Sequence, residues 1–283
     1  MLRGKKPTTK AKRMKALFYG AAGAGKTTAA INFPRPYLID TERGAENDQY
    51  VTALRERDGA ILQTNSFLEI VAEVRSLLSD KHEYRTLIID PVTTIWDDLL
   101  AVAEDSVGNE FGRHYGEARK QWKRLGNLLM RLDMNVIITS HQKNLYGDNL
   151  KVLGQTFDGP KGLDYLFDLV FEVQKRGTDR VGIVRKTRVE SFPEGDIFPF
   201  AYDEVAERYG RDVLERDAVP TELASAELVA EFSTCIENLK NADDIVAKLL
   251  KDYDAADLTE IPAERIKAGI AHFTPSVPEE TTK

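Results

Sequence analysis

A short glycine-rich segment near the start of the chain has the residue types and spacing of a phosphate-binding loop. Its sequence, GAAGAGKT, fits G-x-x-x-x-G-K-[ST] and lies between an apolar run and a helix-like stretch. Glycines let backbone N–H groups curl around phosphate oxygens. A lysine at the end of such a loop reaches the β- and γ-phosphates, and the next hydroxyl is a ligand for Mg²⁺. The sequence therefore predicts that ATP and Mg²⁺ bind at Gly20, Ala21, Ala22, Gly23, Ala24, Gly25, Lys26, Thr27 and Thr28.

An acidic residue further along the chain can complete the metal site. Asp90 ends the apolar segment TLIID, and α/β sheets bind ligands at the edge where their strands end. We therefore expect Asp90 to hold Mg²⁺ through a water molecule, with Thr27 as the direct ligand. Many P-loop motors have a water-positioning glutamate after this aspartate, but here the next residue is Pro91. Hydrolysis therefore requires a base from elsewhere in the chain.

Glu42 is the candidate for that base. It lies two residues after Asp40 in PYLIDTERG, where a second apolar segment ends at the same expected edge. The alternative is a glutamate in a surface turn, because Arg43 and Gly44 follow it. A carboxylate that takes a proton from water must also reach the reacting groups, and spacing alone leaves that open.

The hydrophobic pattern indicates the elements that position these residues. Six apolar segments are mostly continuous rather than alternating, as in strands covered on both faces: ALFYG, PYLID, TLIID, NVIITS, DLVFEV and VGIVRK. Between them lie helical patterns, one of which begins with a capping box at Ser66 and Glu69. Two others cover TTIWDDLLAVAED and EARKQWKRLGNLLMRL. This order predicts an α/β fold with a mainly parallel sheet flanked by helices.

Charge suggests three regions. The net charge is −7 over 283 residues, but residues 201–283 hold nine basic and nineteen acidic residues, whereas residues 1–15 hold seven basic residues and no acidic one. We expect a basic N-terminal arm at 1–15, an ATPase core at 16–204 and a small acidic helical region at 205–283. The arm either follows a phosphate backbone or is a solvated leader.

The acidic region has three helical patterns, which begin at Ser225, at Asn241 and after Pro262. Its expected core contains Leu228, Phe232, Ile236 and Leu239. No apolar run reaches the roughly 20 residues that a membrane span needs, and the basic N-terminus lacks the apolar stretch of a secretory signal. The single cysteine, Cys235, cannot form an internal disulfide. We therefore expect a cytoplasmic protein without membrane association.

Several of these segments together resemble the RecA family. There the second strand ends in a D-x-E element whose glutamate activates water, and LIDTE places Glu42 in that position. VIITSHQ resembles the segment that ends in a γ-phosphate-sensing residue, here Gln142. VRKTRVESFP resembles the paired basic element that reaches the neighbouring subunit's nucleotide site, here Lys186 and Arg188. The alternative for this pair is an edge strand with solvated charges.

The resemblance extends from about residue 16 to residue 200 and implies a RecA-like P-loop core. It further implies a homo-oligomer, either ring or filament, with ATP at the subunit interface. The residues that it assigns to catalysis are Lys26, Glu42, Gln142, Lys186 and Arg188.

The same resemblance implies two DNA-binding loops. EDSVGNEFGRHYGEARKQ occupies the place of the first loop and KNLYGDNLKVLGQTFDGPKGLDYLF that of the second. We expect both to be mobile and to become ordered on a ligand. The candidate contacts to single-stranded DNA are Arg113, Lys120, Lys123, Lys143, Lys151, Lys161 and Phe157, with Phe111 and Tyr115 as further aromatic candidates. The aromatic residues either stack on bases or pack on the domain, and each basic residue is otherwise an ordinary surface charge.

In size the chain most resembles the phage-encoded RecA-like recombinases that anneal single strands. That implies DNA-stimulated ATP hydrolysis, pairing of complementary strands and a cognate single-strand-binding protein as a candidate partner, in the cytoplasm of a bacterial host. The chain departs from RecA because only a basic arm precedes the first strand, and its acidic region has no clear counterpart. Two other classes stay open: a P-loop nucleotide kinase, which needs an acceptor pocket and an arginine-rich lid, and a non-catalytic ATP-dependent switch or loading factor.

Overall fold

The computed structural model describes residues 11–147, 151–253 and 255–274. Most of the expected basic arm lies outside the described residues, as does the C-terminal end of the expected acidic region. The chain divides into two compact units. The first contains the described residues up to 70, together with 82–119 and 133–218, and the second contains 71–81, 120–132 and the described residues from 219 onward.

An eight-stranded sheet forms the centre of the first unit. In chain order, the strands of the described residues are β1 (Lys15–Tyr19), β2 (Pro36–Asp40), β3 (Ala60–Gln63), β4 (Thr86–Asp90), β5 (Asn135–Ser140), β6 (Gln142–Tyr146), β7 (Val152–Phe157), β8 (Leu169–Arg176), β9 (Asp179–Thr187) and β10 (Ile197–Pro199). The sheet order is β10-β9-β8-β1-β5-β4-β2-β3, and β6 and β7 form a separate hairpin. Pairing is parallel from β8 to β3 and antiparallel between β8, β9 and β10. The predicted α/β class with a mainly parallel sheet is confirmed.

An α-helix follows each of the strands β1, β2, β3, β4 and β10. In chain order, the α-helices of the described residues are α1 (Lys26–Ile31), α2 (Asp48–Arg55), α3 (Phe67–Ser79), α4 (Val92–Val107), α5 (Arg113–Arg131), α6 (Tyr202–Tyr209), α7 (Arg211–Glu215), α8 (Ala226–Ile236), α9 (Ala242–Tyr253) and α10 (Ala263–Phe273). In the first unit, α1 and α4 contact the central strands. The predicted capping box of α3 is only half formed. Ser66 Oγ accepts a long hydrogen bond of 3.5 Å from the Glu69 amide, but the Glu69 carboxylate accepts from the Thr64 hydroxyl instead.

The core of the first unit fixes the edge at which the strands end. All residues of β1 and β5 are buried, which explains why the middle of each strand is continuously apolar rather than alternating. Phe18 on β1 packs its ring against those of Phe171 and Phe200, with centroids 5.8 and 4.9 Å apart. Asp40 and Asp90 are register partners in the parallel pair of β2 and β4. The ends of β1, β2 and β4 therefore meet at one edge, as the sequence predicts.

Within the described residues, much of the two segments predicted as long mobile loops has regular structure instead. In the first, α4 continues to Val107 and α5 begins at Arg113, so only residues 108–112 connect two helices. Ala118 and Trp122 are both buried and lie four residues apart, which is the spacing of one helix face. This spacing favours a helix over a loop at the end of the first segment. In the second, β6 and β7 pair as an antiparallel hairpin from Gln142 opposite Phe157.

Residues 205–218 belong to the first unit. Arg13, which is buried just before β1, donates hydrogen bonds to the carbonyl oxygens of Val213, Arg216 and Asp217 at 2.7 to 2.8 Å. Leu214 is fully buried in the core that contains β1. These contacts hold α7 and the chain after it to the start of the first strand.

The second unit has its own apolar core, built from α8, α9, α10 and the turn at Leu258. The predicted helix starts at Ser225, at Asn241 and after Pro262 are confirmed, and the Ser225 side chain caps α8 by accepting from the Leu228 amide. Phe232 and Ile236 are buried, as expected. Leu239 is 37% exposed and does not belong to the core, because it lies after the last turn of α8.

Lys15 is a buried lysine in the central strand. Its Nζ donates a hydrogen bond to the Met134 carbonyl oxygen at 2.9 Å. Burial lowers the pKa of Lys15 to about 7, although the charge of Asp133 acts in the opposite direction. In the unfolded chain the pKa is about 10.4, so between these values the unfolded state binds more protons than the folded state. The folded state is therefore destabilised at neutral pH by the charge on Lys15 and gains stability as the pH rises.

We expect replacement of Lys15 with methionine to remove this pH dependence. The free energy of unfolding of the unchanged protein should rise between pH 7 and pH 9.5 by up to about 1.4 kcal/mol per pH unit, and that of Lys15→Met should rise much less. Denaturant unfolding at several pH values measures both slopes. The window stops below pH 10 because burial also raises the pKa of Tyr19, to about 12, and such tyrosines reduce stability at higher pH. Equal slopes for the two proteins would contradict the prediction.

Candidate nucleotide site

The glycine-rich loop joins β1 to α1 and is packed closely on both sides. A Cβ atom added at Gly20 would lie 2.2 Å from the Val173 carbonyl oxygen on β8. One added at Gly25 would lie 2.1 Å from Nε of Arg180 on β9. Gly25 also has a φ of 90°, which disfavours any L side chain. Packing against the β8 backbone therefore requires glycine at position 20, and the left-handed backbone requires it at position 25.

Lys26, the first residue of α1, folds back over this loop. Its Nζ donates to the carbonyl oxygens of Gly20 and Ala21 at 3.0 and 3.1 Å. Burial lowers the pKa of the Lys26 ammonium, against the charges of Asp90 and Glu42, which raise it. The ammonium group thus lies inside the loop and within the electrostatic reach of two carboxylates. A phosphate oxygen bound in the loop can replace the two carbonyl oxygens as the hydrogen-bond acceptor of the Lys26 ammonium.

Thr27 and Asp90 meet at the same edge. The Thr27 hydroxyl donates to Asp90 Oδ2 at 2.5 Å, and the Thr139 hydroxyl on β5 donates to Oδ1. Burial raises the pKa of the Asp90 carboxyl above its usual range, while the hydrogen bonds from Thr139 and Thr27 lower it. Hydroxyl and carboxylate oxygens are the donors that Mg²⁺ prefers, so these residues fit the predicted ion.

Asp40 shapes the turn that carries Glu42. Its carboxylate is buried and accepts hydrogen bonds from the amides of Glu42, Gly44 and Ala45 at 3.3, 3.1 and 2.9 Å. Thr41 binds the neighbouring strand, because its amide donates to the Asp90 carbonyl oxygen at 3.0 Å. Asp40, the first acid of the D-x-E element, therefore has a structural role. It holds the turn so that Glu42, the second acid, lies at the edge of the sheet.

The Glu42 carboxylate points toward α4 and the end of β5. Its Oε1 accepts a hydrogen bond from the Thr94 hydroxyl at 2.9 Å, and its Oε2 lies 3.5 Å from Nε2 of His141. The side chain is 43% exposed, so water can reach it. It also acts electrostatically on Lys26. The structure thus brings Glu42, Lys26 and Asp90 together at one edge.

A pocket of about 400 Å³ lies beside the loop. Residues Ala21 to Ala24 line one side of it, and Gln142 at the start of β6 lies among the residues that line the rest. The predicted sensor residue and the loop therefore share one pocket. Gln155 on β7 lines the same pocket, and sequence reasoning missed it because no strand was expected there.

Arg180 is a further residue at the loop that sequence reasoning missed. It lies at the start of β9, and its Nε donates to the Ala24 carbonyl oxygen of the same chain at 3.2 Å. Its guanidinium covers Gly25. A single arginine after a hairpin turn belongs to no recognisable sequence motif. Arg180 lies next to the loop because β8 pairs with both β1 and β9.

Lys186 and Arg188 make contacts within their own chain. Lys186 Nζ donates to the carbonyl oxygens of Asp164 and Phe167, the latter at 2.8 Å. Arg188 donates to the Tyr165 carbonyl oxygen at 3.1 Å and pairs with Asp168 at 3.4 Å. Both side chains thus hold the turn that precedes β8. Any role at a neighbouring nucleotide site requires them to leave these partners.

The candidate DNA contacts are spread over several elements. Arg113, Lys120 and Lys123 lie on α5, and the last two belong to the second unit. In the first unit Lys143 pairs with Asp158 at 2.9 Å, whereas Lys151 and Lys161 are exposed.

The aromatic candidates differ in exposure. Phe157 packs edge-on against the Tyr19 ring at 6.3 Å and is partly buried. Tyr115 is partly exposed and lies against the His114 ring. Phe111 is completely exposed and has a positive φ of 54°, which is unusual for a bulky residue. Among the three, Phe111 is the most exposed.

Comparison with known proteins gives a family, and it gives matches among solved structures. A family model described as AAA domain matches residues 12–193. Among solved structures, a crystal structure of the RadB recombinase aligns with 66% of this chain and 86% of its own, at 16% sequence identity and a TM-score of 0.43. No curated protein matches the sequence. Within the described residues, no helix combines the length and apolar character that crossing a membrane demands.

Proposed function

The chain belongs to the AAA-domain family, and from that premise we propose that it is a RecA-like ATPase that acts as a recombinase on single-stranded DNA. ATP and Mg²⁺ are the proposed ligands of the glycine-rich loop. The proposed outcome of DNA binding is the pairing of complementary strands, as in the phage-encoded annealing recombinases that the sequence resembles.

The observation that carries the proposal is the meeting of four functional side chains at one edge of the sheet. Lys26 and Thr27 come from the loop, Asp90 from the end of β4, and Glu42 from the turn after β2. A phosphate loop alone indicates nucleotide binding. An exposed carboxylate beside that loop adds a base for hydrolysis.

Each side chain has a distinct role in this proposal. Lys26 and the loop amides hold the phosphates, Thr27 binds Mg²⁺ directly, and Asp90 binds it through water. Glu42 accepts the proton of the attacking water, and Gln142 senses the γ-phosphate. Mg²⁺, when bound, neutralises charge on the phosphates. Arg180 holds the Ala24 peptide and so positions the loop.

Oligomer formation is part of the proposal, with Lys186 and Arg188 acting on the neighbouring subunit's nucleotide. Within their own chain, these two cations bind neutral carbonyl oxygens in the turn at 164–167. The one charged partner among these contacts is Asp168, which pairs with Arg188. A triphosphate offers these cations stronger, charge-assisted hydrogen bonds. Exchange of partners on assembly is therefore favourable, and a ring or filament can provide it.

The proposed DNA surface of the first unit contains the 108–112 connection and the β6–β7 hairpin. Phe111 is fully exposed in the former. The hairpin exposes the apolar residues Leu145, Tyr146, Val152 and Leu153. Lys151 and Lys161 supply charge for phosphates. Aromatic stacking combined with cations is the usual means of holding single strands without reading their sequence.

We expect ATP hydrolysis to increase when single-stranded DNA is added. The test compares phosphate release with no DNA, with an oligo(dT) strand and with Lys26→Ala as the inactive control. Lys26→Ala should fail in both conditions because it lacks the ammonium that holds the phosphates. Transfer of phosphate to a nucleoside monophosphate would support a kinase instead. Nucleotide binding without turnover would support a non-catalytic switch.

A further inference from the structure

A pocket lined by basic residues lies within the second unit. A pocket of about 440 Å³ is bounded by α5 and by the end of α9. Its cationic lining residues are Lys120, Lys123, Arg124 and Lys251, and no acidic residue is among the described residues that line it. This is unexpected in a region whose C-terminal segment is strongly acidic. Charge of one sign gathered around one cavity is costly unless an anion binds there.

Arg124 is fixed in the wall of this pocket. Its Nε donates to Oε1 of Glu260 at 3.0 Å, and the Glu260 carboxylate is almost fully buried. The other oxygen of Glu260 accepts from the Ala256 amide at 2.8 Å. One buried carboxylate therefore joins α5 to the chain after α9. Glu260 also pairs with Nη1 of Arg75 at 3.7 Å, so it offsets only part of the charge of Arg124, and Lys120 and Lys251 add further positive charge to the pocket.

The lysines surround the opening from two helices. Lys120 and Lys123 are three residues apart on α5 and so lie on one helix face. Lys251 is in the last turn of α9, and Leu250 and Ala255 contribute apolar surface between the helices. All three lysines are exposed at their helix surfaces. A cationic rim around an apolar floor suits an extended chain that carries both phosphates and apolar sugar or base surface.

We propose that this pocket binds the phosphodiester backbone of single-stranded DNA, as a second contact separate from the loops of the first unit. The proposal rests on the DNA binding proposed above and adds Lys251 to it. The phosphate groups that it recognises also occur in free nucleotides. Backbone is favoured because the described lining contains no aromatic residue on which an isolated base could stack.

The test replaces Lys120 and Lys251 with alanine together. Lys248 is the matched control, because it is an exposed lysine on the same helix as Lys251 but is not among the residues that line the pocket. Binding of a fluorescent oligo(dT) strand is measured by anisotropy over a range of salt concentrations. Each lost phosphate contact should reduce the slope of log K against log salt by about 0.7 and weaken binding about fivefold at 0.1 M salt. The double variant should therefore bind about 25-fold more weakly, with a slope smaller by about 1.4.

Three results would overturn this proposal. One is an unchanged slope in the double variant while the unchanged protein binds DNA. Another is an equal loss in Lys248→Ala, which would indicate general surface charge rather than a site. The third is unchanged DNA binding with weaker binding of ATP, which would identify free nucleotide as the ligand. ATP hydrolysis without DNA should be unaffected in the double variant and in Lys248→Ala. Failure of the unchanged protein to bind DNA would instead reject the proposed function.

Discussion

Replacement of Glu42 with glutamine should abolish most ATP hydrolysis while ATP still binds. Glutamine has nearly the same shape as glutamate and can still accept the hydrogen bond from Thr94, which now forms at 2.9 Å. It cannot accept a proton. General bases contribute about 10²- to 10⁴-fold to enzymatic rates, so a loss of that size is expected in the turnover number. Lys26 and the loop are unchanged, so the affinity for ATP should stay within a few-fold.

The geometry gives two reasons for assigning this role to Glu42 rather than to Asp40 or Asp90. The Asp40 carboxylate is buried and occupied by three backbone amides. Both oxygens of Asp90 accept from threonine hydroxyls, at the place where Mg²⁺ is proposed to bind. Glu42 is the acid of this group that solvent reaches directly. A base that activates water requires that access.

The measurement is steady-state phosphate release together with the binding of a fluorescent ATP analogue. Glu46→Gln is the matched control, because Glu46 lies four residues away on the same turn and is exposed. Its carboxylate accepts a hydrogen bond from the Gln63 side-chain amide at 3.1 Å and contacts no residue of the proposed nucleotide site in the described chain. Glu46→Gln should retain full activity. Unchanged turnover in Glu42→Gln would remove Glu42 from the mechanism. Loss of ATP binding along with turnover would assign it a structural role.

The parts of the site that could be predicted from the sequence are those with a local signal. Strand β1, the loop and the start of α1 follow one another within a short segment, and an apolar strand that ends in an acid is visible at Asp40 and Asp90. Because parallel strands end at one edge, local patterns were enough to bring these acids to the loop. Thr139 and Arg180 have no such signal. They reach the site through sheet order, which places β5 between β1 and β4 and joins β8 to both β1 and β9.

The first predicted loop was placed by the resemblance to RecA, and its glycines and mixed charge suggested a mobile segment. Gly116 lies in the part of that segment that is helical instead. One glycine within a helix costs about 1 kcal/mol relative to alanine. Burial of Trp122 and Leu125 on the same helix stabilises it by roughly 1.5 to 3 kcal/mol for each side chain. The apolar face therefore outweighs the glycine, and α5 begins at Arg113.

A subunit-mixing experiment should separate the two kinds of arginine at the proposed site. Arg188→Ala should lower ATP hydrolysis strongly, since arginine fingers contribute about 10³- to 10⁵-fold, and Lys26→Ala should be inactive. Mixed in equal amounts before assembly, the two variants form some interfaces in which an intact loop meets an intact Arg188. In a head-to-tail ring or filament these are about a quarter of all interfaces, so about a quarter of full activity should return.

Arg180→Ala is the control that makes this result specific. Arg180 contacts Ala24 of its own chain, so a subunit that lacks it keeps a defective loop whichever neighbour it meets. Mixing Arg180→Ala with Lys26→Ala should therefore restore nothing. In both mixtures half of the subunits carry Lys26→Ala and the other half lack one arginine. A general effect of mixing would therefore appear equally in both. Recovery with Arg180→Ala would contradict its action within one chain.

Failure of the Arg188→Ala mixture to recover has a clear structural meaning. In the single chain, Arg188 holds the Tyr165 carbonyl oxygen and Asp168, and Lys186 holds the carbonyl oxygens of Asp164 and Phe167. If Arg188 and Lys186 keep these contacts in the assembled protein, loss of either cation damages only its own subunit. No neighbouring subunit can then supply the missing group. Recovery requires that the cations leave the turn for a stronger anionic partner on the next subunit. The mixing result therefore decides whether the nucleotide site is complete in one chain or is shared by two.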